Sequence, residues 1–264
     1  MQDMWTWPHG LLPLALGAGM GFFGGLFGIG GGVIAIPLLV LGFGLDQAMA
    51  QGTALVMMVP NLLIGWWRYS RHQPVPWRHA VGIGTAASAT TWAVAHLATG
   101  MASGTLRLVF CLGLAALACH MLAQQRAAGR PGARAADSQS RPALAARWLP
   151  AVGVLGGSSM GLLGIGGGLV ATPVLTRWFG HRQTIAQSLA LALVAPSSVI
   201  ALGTYASAGR VHWPLGLPLA ISGMLTVSAG VALAHRLPEH RMRQAFAWML
   251  LATAIWLTAG TLQG

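Results

Sequence analysis

Charge is what this chain has least of. Charged residues make up 7% of it, lysine does not occur, and four residues are acidic. A water-soluble domain carries about 25% charged residues, so this composition cannot assemble an ordinary water-facing surface. Cysteine is scarce too: Cys111 and Cys119 stand inside one apolar segment. Their spacing matches no zinc or redox motif and builds no disulfide framework, so small apolar packing accounts for both. The acidic residues Asp3, Asp46, Asp137 and Glu239 fall in termini or connections. No carboxylate is therefore expected at mid-membrane depth, where proton- or cation-coupled carriers usually place one. Enzyme chemistry also lacks support, because the apolar segments hold no metal-ligand cluster, nucleophile–base pair or paired carboxylates. No catalytic residue, metal or cofactor is expected. The opening stretch MQDMWTWPHG has no basic region before its apolar run, so no secretory signal peptide is expected.

What is abundant is apolar length. Stretches near 47–67, 80–99, 104–124, 184–208, 213–235 and 241–262 are each about 20 residues long with few charges, which is spanning length. Six spanning helices are the least this allows, in a multi-pass protein of a bacterial inner membrane. The net charge of +11 invites a nucleic-acid reading, since basic patches bind phosphate backbones. The placement of the charges argues against that partner. All fifteen basic residues are arginines, and nearly all sit in short connections between apolar segments, as cytoplasmic loops of membrane proteins do. The expected partners are the lipid bilayer and a small anionic substrate; no oligomeric state follows from the sequence.

Internal repetition is plain. Residues 25–39 read GLFGIGGGVIAIPLL and 161–175 read GLLGIGGGLVATPVL. The same offset of 136 pairs Gln51 with Gln187, Pro60 with Pro196, Tyr69 with Tyr205, Trp77 with Trp213, Arg107 with Arg243 and Phe110 with Phe246. Across 25–60, 18 of 36 positions are identical, which marks a duplication. The halves are 1–124 and 148–264. Between them, 125–147 is rich in Arg, Gly, Pro, Ser and Ala and reads as a flexible, solvated linker.

Arginine positions discriminate between two topologies. If 11–41 and 148–178 each crossed once, both halves would point the same way, leaving nine arginines inside and six outside. If each motif-bearing segment instead enters and returns on one side, the halves are inverted. Thirteen of fifteen arginines then lie inside, with Arg107 and Arg210 outside, the better asymmetry. The linker becomes cytoplasmic and both termini periplasmic. The expected fold is thus all-α and polytopic: two inverted repeats, each a glycine-broken re-entrant hairpin followed by three transmembrane helices. A kink in a long tilted helix, or close packing at glycine faces, is the plainer account of the motif.

Gly28–Gly32 and Gly164–Gly168 are poor helix centres, since each glycine costs about 1 kcal/mol against alanine. A glycine turn followed by a short helix presents free backbone N–H groups at that helix's positive end, which suits an anion. Two such turns related by inversion would meet near the midplane, as in carriers built from broken helices. The candidate substrate-binding residues are Gly28, Gly30, Gly31, Gly32, Gly164, Gly166, Gly167, Gly168, Gln51, Gln187, Pro37, Pro173, Ser188 and Ser197. The prolines free a helix carbonyl or simply shape the helix. The glutamines bind ligand or bond helix to helix. Ser158, Ser159, Ser198, Thr53 and Asn61 are weaker versions of the same reading. His96 and His120 are packing or interfacial residues unless they titrate. Arg107 and Arg243 either attract anions to each mouth or snorkel. Outward movement of an anion needs no coupling, because an inside-negative potential favours it by about 2.3 kcal/mol per charge per 100 mV.

Two G-x-G-G-G-x4-P motifs, GIGGGVIAIP at 28–37 and GIGGGLVATP at 164–173, each open one half of the chain. In this the chain resembles the sulfite exporter TauE/SafE family, also called the toluene sulfonate uptake permease family. The resemblance implies transport of sulfite, sulfoacetate, sulfonates or related sulfur oxyanions, in either direction. The long Arg-rich linker and the absence of lysine depart modestly from it. Export is the favoured expectation; a passive anion channel or an uptake permease for a sulfonate is the alternative.

Overall fold

The structure, a computed structural model, describes residues 11–27, 31–72, 77–128, 145–180, 183–234 and 239–262. Among these residues every regular element is helical, with no strand. The first half contains α1 (Leu11–Phe27), α2 (Gly32–Phe43), α3 (Gln47–His72), α4 (Trp77–Gly100) and α5 (Ser103–Ala128). A short 3-10 turn at Ala146–Trp148 leads into the second half: α6 (Leu149–Leu163), α7 (Gly168–Arg177), α8 (Gln183–Ser207), α9 (Trp213–Ala234) and α10 (Glu239–Leu262). α5 continues to Ala128, so the first residues of the expected linker are helical, and 129–144 lie outside the described residues.

The six apolar stretches all form helices, but four are both long and apolar enough to cross a membrane: Gln47–Ile64, Ser103–His120, Ile185–Ser207 and Trp213–Gly230. α4 and α10 have the length, 24 residues each, or about 36 Å at 1.5 Å per residue. Their composition differs. α10 begins with Glu239, His240 and Arg241, and α4 carries a run of Thr and Ser. The threonine hydroxyls are bonded within the protein: Thr85 Oγ1 donates to the Val81 carbonyl at 2.8 Å and Thr90 Oγ1 to that of Ala86 at 2.7 Å. Such internal bonding lowers the cost of burying them.

The two halves exchange partners. α1 lies along α9, and α6 lies along α4. Small residues make this possible. A Cβ on Gly17 would meet Leu219 and Ser222, one on Gly21 would overlap Gly223, and one on Gly25 would meet Val227. In the second half, Gly153, Gly157 and Gly161 face Ile83, Ala87 and Thr91 in the same way. Every one of these positions is its counterpart's number plus 136, so one backbone-to-backbone contact is built twice. Stripes of small residues at every fourth position let helices approach this closely. Hydroxyls reinforce both seams: Thr91 Oγ1 donates to the Gly157 carbonyl at 3.0 Å and Thr226 Oγ1 to that of Ala18 at 2.6 Å.

α3 and α8, equivalent in the repeat, pack on each other in opposite directions. Ala48 and Leu55 cluster with Ala201 and Tyr205, whereas Met58 and Leu62 cluster with Leu189, Leu193 and Val194. Their ends are bonded: the His212 N–H donates to Thr53 Oγ1 at 3.0 Å, and Arg210 pairs with Asp46 at 3.3 Å. The Gln47 N–H, at the start of α3, donates to Ser103 Oγ at 3.1 Å and joins α5 to the same end.

Candidate functional site

Both glycine motifs break the helix they stand in. In the second, Gly164 and Gly166 take positive φ, 65° and 86°, and α7 starts at Gly168. In the first, Gly31 has φ 86° and α2 starts at Gly32, while Gly28 and Gly30 lie outside the described residues. An L-residue in the left-handed region is strained by roughly 1–2 kcal/mol, so glycine is required where the chain reverses. The reversal is tight. A Cβ on Gly31 would stand 2.9 Å from the Met20 carbonyl, and one on Gly167 would overlap that of Gly156. A continuing helix would hold either pair, eleven residues apart in sequence, about 16 Å from each other. Each chain therefore folds back on the helix it has just left.

Depth follows from the neighbours of each break. Gly31 and Gly32 face Met57 and Met58, ten to eleven residues into α3, and Gly168 faces Ala190 and Val194, midway along α8. From these levels α2 runs back to the start of α3, so the two are antiparallel. The breaks also meet each other: a Cβ on Gly32 would stand 3.0 Å from the Gly164 carbonyl oxygen. Gly31, Gly32 and Gly164 to Gly167 are all buried.

The backbone polar groups here are unevenly used. The carbonyls of Gly31, Gly166 and Gly167 accept from the first turn of their helices, and the Gly164 N–H donates to Met160 at 3.0 Å. The N–H groups of Gly31, Gly32 and Val33, and of Ile165 to Gly168, meet no acceptor among the described residues. These are the donors that a helix amino end leaves over, gathered at two adjoining ends. The side chains around them are neutral.

Gln51 braces this junction. It is fully buried, its Nε2 donates to the Leu162 carbonyl at 3.2 Å, and its Oε1 accepts from Tyr205 Oη at 2.7 Å. Tyr205 Oη also reaches the Gly161 carbonyl at 3.1 Å. Gln51 Cβ lies 3.5 Å from where a Cβ on Gly164 would be. A glutamine of the first half thus ties down the helix that leads into the second motif. Gln187, half-buried on α8, is its counterpart, and the glycine it would brace by the repeat is Gly28, outside the described residues. The sequence shows Tyr205 only as one of a pair at the repeat offset; that shared offset with the glutamines is the signal for its role.

The remaining candidates spread around the junction. Pro37 and Pro173 are each the sixth residue of α2 and α7. Ser188 is buried in α8. Ser197 is buried and donates to the Leu193 carbonyl at 2.6 Å. Asn61, a weaker candidate by sequence, is 8% exposed, and neither atom of its amide has a hydrogen-bond partner among the described residues. Among the described residues no group of His, Cys, Asp or Glu could hold a metal ion.

Comparison with known proteins finds relatives along nearly the whole chain. The family model described as Sulfite exporter TauE/SafE matches residues 13–257. A "probable membrane transporter protein" of Xylella fastidiosa strain Temecula1 is 28% identical over 253 residues, covering 93% of this chain and 94% of that protein. One of Methanocaldococcus jannaschii is 27% identical over 248 residues, covering 87% of this chain and 89% of its own length. No solved structure matches the chain.

Proposed function

The chain belongs to the sulfite exporter TauE/SafE family, and from that premise we propose that it carries small sulfur-containing anions, sulfite, sulfoacetate or another organosulfonate, with export favoured. The observation that carries this reading is the contact of Gly32 with the Gly164 carbonyl, with seven N–H groups around it that meet no acceptor among the described residues. Non-helical backbone inside a membrane is tolerated where it is buried in protein or lines a polar cavity. Two positive helix ends in such a place form an anion site with no charged side chain. Gly31, Gly32 and Gly166 to Gly168 supply its amides, with Gly164 at the second bend; Gly28 and Gly30, the other motif candidates, lie outside the described residues. Gln51 braces the second bend and Gln187 is its repeat counterpart, Pro37 and Pro173 shape the short helices, and Ser188 and Ser197 stand on α8.

The inverted topology is part of the proposal. Asp46 and Arg210 are 3.3 Å apart, and Thr53 bonds to His212. Halves pointing the same way would hold residues 46 and 210 on opposite sides of the bilayer, so the ion pair favours inversion. The antiparallel course of α3 and α8 supports it as well. In this topology the short helices start about 16 Å from the start of α3, near the middle of a ~30 Å hydrocarbon core. The linker is cytoplasmic, both termini are periplasmic, and the membrane is the bacterial inner membrane.

Purified protein in liposomes tests the function under an imposed potential. Saturable flux and counterflow of sulfite or a sulfonate are expected, and flux without counterflow would indicate a channel. Movement of a cation with no sulfur anion moving would refute the proposal. A reporter fused after Gly264 is expected in the periplasm; a cytoplasmic signal would refute the inverted topology.

A further inference from the structure

We propose that Asn61 is a ligand of the anion, donating its side-chain amide N–H groups to an oxyanion seated at the amino end of α2, and that its repeat counterpart, Ser197, donates nothing to the other half-site. The inference rests on the function proposed above and adds a side chain to a site otherwise made of backbone. Three observations lead to it.

The first is that the amide is unused. Asn61 is nine-tenths buried, and both Oδ1 and Nδ2 lack a partner among the described residues. A buried amide carries two donors and an acceptor, and leaving them unpaired is costly. Helix-to-helix bonding, the usual use of asparagine between membrane helices, is absent here.

The second is position. Met57 faces Gly31 and Met58 faces Gly32, and Asn61 follows them by four and three residues on α3, on the same stripe of the helix. α2 runs from that level back towards the start of α3. Its leftover N–H groups therefore point the other way, towards the turn of α3 that carries Asn61. A helical side chain leans towards its own amino end, which brings the amide back towards the glycine break. An anion capping α2 would occupy the space between them.

The third is asymmetry. The residue equivalent to Asn61 in the repeat is Ser197, next to Pro196 as Asn61 is next to Pro60. Ser197 has one proton to donate, and the Leu193 carbonyl takes it at 2.6 Å. The serine has no proton left for the anion. The backbone turns differ likewise: Gly31 has φ 86°, whereas its counterpart Gly167 has φ −61°. Asn61 thus adds side-chain amide donors at one end of the anion, and its counterpart Ser197 adds none at the other. Such a site suits an ion with one oxygen-rich face, as in R–SO3−.

The test compares Asn61→Leu, Asn61→Ser and Asn61→Asp with the unaltered protein, using sulfite and sulfoacetate. Transport KM and the anion-induced rise in melting temperature are read in parallel. Asn61→Leu and Asn61→Ser are expected to raise KM about tenfold or more, as loss of a hydrogen bond to a charged group does. Both should lose most of the anion-induced melting shift. Without substrate Asn61→Leu should melt no lower than the unaltered protein, because it removes an unpaired amide. Asn61→Asp, which sets a negative charge beside the anion, should transport least. A KM within twofold and a full melting shift in Asn61→Leu and Asn61→Ser would overturn the inference. So would a substrate-free Asn61→Leu protein that unfolds or melts several degrees lower, which would make Asn61 structural. If the unaltered protein moves no sulfur anion, the proposed function fails whatever the variants do.

Discussion

The bond between Tyr205 and Gln51 joins the two repeats beside the second glycine break, and its strength can be measured. Tyr205→Phe removes one oxygen and leaves the ring in place, so no cavity of consequence is made. The loss strands Gln51 Oε1, which accepts the hydroxyl's single proton at 2.7 Å, and removes its longer shared approach to the Gly161 carbonyl at 3.1 Å. A stranded buried acceptor costs about 1–3 kcal/mol in soluble proteins. Bonds between membrane helices average about 0.6 kcal/mol and reach about 1.7, because the unfolded chain in the bilayer finds other partners. Tyr205 and Gln51 are both 0% exposed, so no lipid-facing or water-facing substitute is at hand. The upper part of the membrane range applies, about 1.5 kcal/mol for Tyr205→Phe. Gln51→Leu should cost more, about 2–3 kcal/mol, since it also strands the Leu162 carbonyl. In the double variant the shared bond is lost once, giving a coupling of about 1 kcal/mol. Reversible unfolding in mixed detergent micelles supplies all four corners of the cycle. A coupling below about 0.3 kcal/mol would refute the claim that this pair clamps the halves together.

Three further outcomes are expected. Gly167→Ala should destabilise by about 2 kcal/mol or more, because its Cβ would overlap the Gly156 carbonyl, whereas Gly19→Ala, with nothing within 4 Å, should be neutral or slightly stabilising; thermal melting of the two compares them. Arg210→Gln should change stability by about 1 kcal/mol or less, since both partners of the Asp46 pair are 39% exposed, and any effect should fade in high salt. An inside-negative potential of 100 mV should shift the equilibrium distribution of a monovalent anion outward by roughly fiftyfold, read as accumulation of sulfonate outside the vesicles; insensitivity to voltage would point to an electroneutral exchange.

How much of this was legible in the sequence differs by feature. The glycine motifs, their offset and the breaks they make are local properties of the backbone, so the residue types alone announce them. The exchange of α1 and α6 between the halves is different in kind. Gly17, Gly21 and Gly25 read as ordinary apolar filler until Leu219, Gly223 and Val227 are set against them. Long-range seams of small residues leave no periodic polar signal, because both sides of the seam are apolar. Polar residues of the core are ambiguous for a related reason. Gln51 and Asn61 look alike as uncharged residues on α3, yet Gln51 has its amide bonded on both sides and Asn61 has neither atom bonded. Sequence order ranks the glutamine higher because it recurs at Gln187, while Asn61 is replaced by Ser197. Repetition reports what the two halves share, which is the scaffold that makes two breaks meet. A bound anion with two different ends needs two different half-sites, and that difference lies where the repeat fails to repeat.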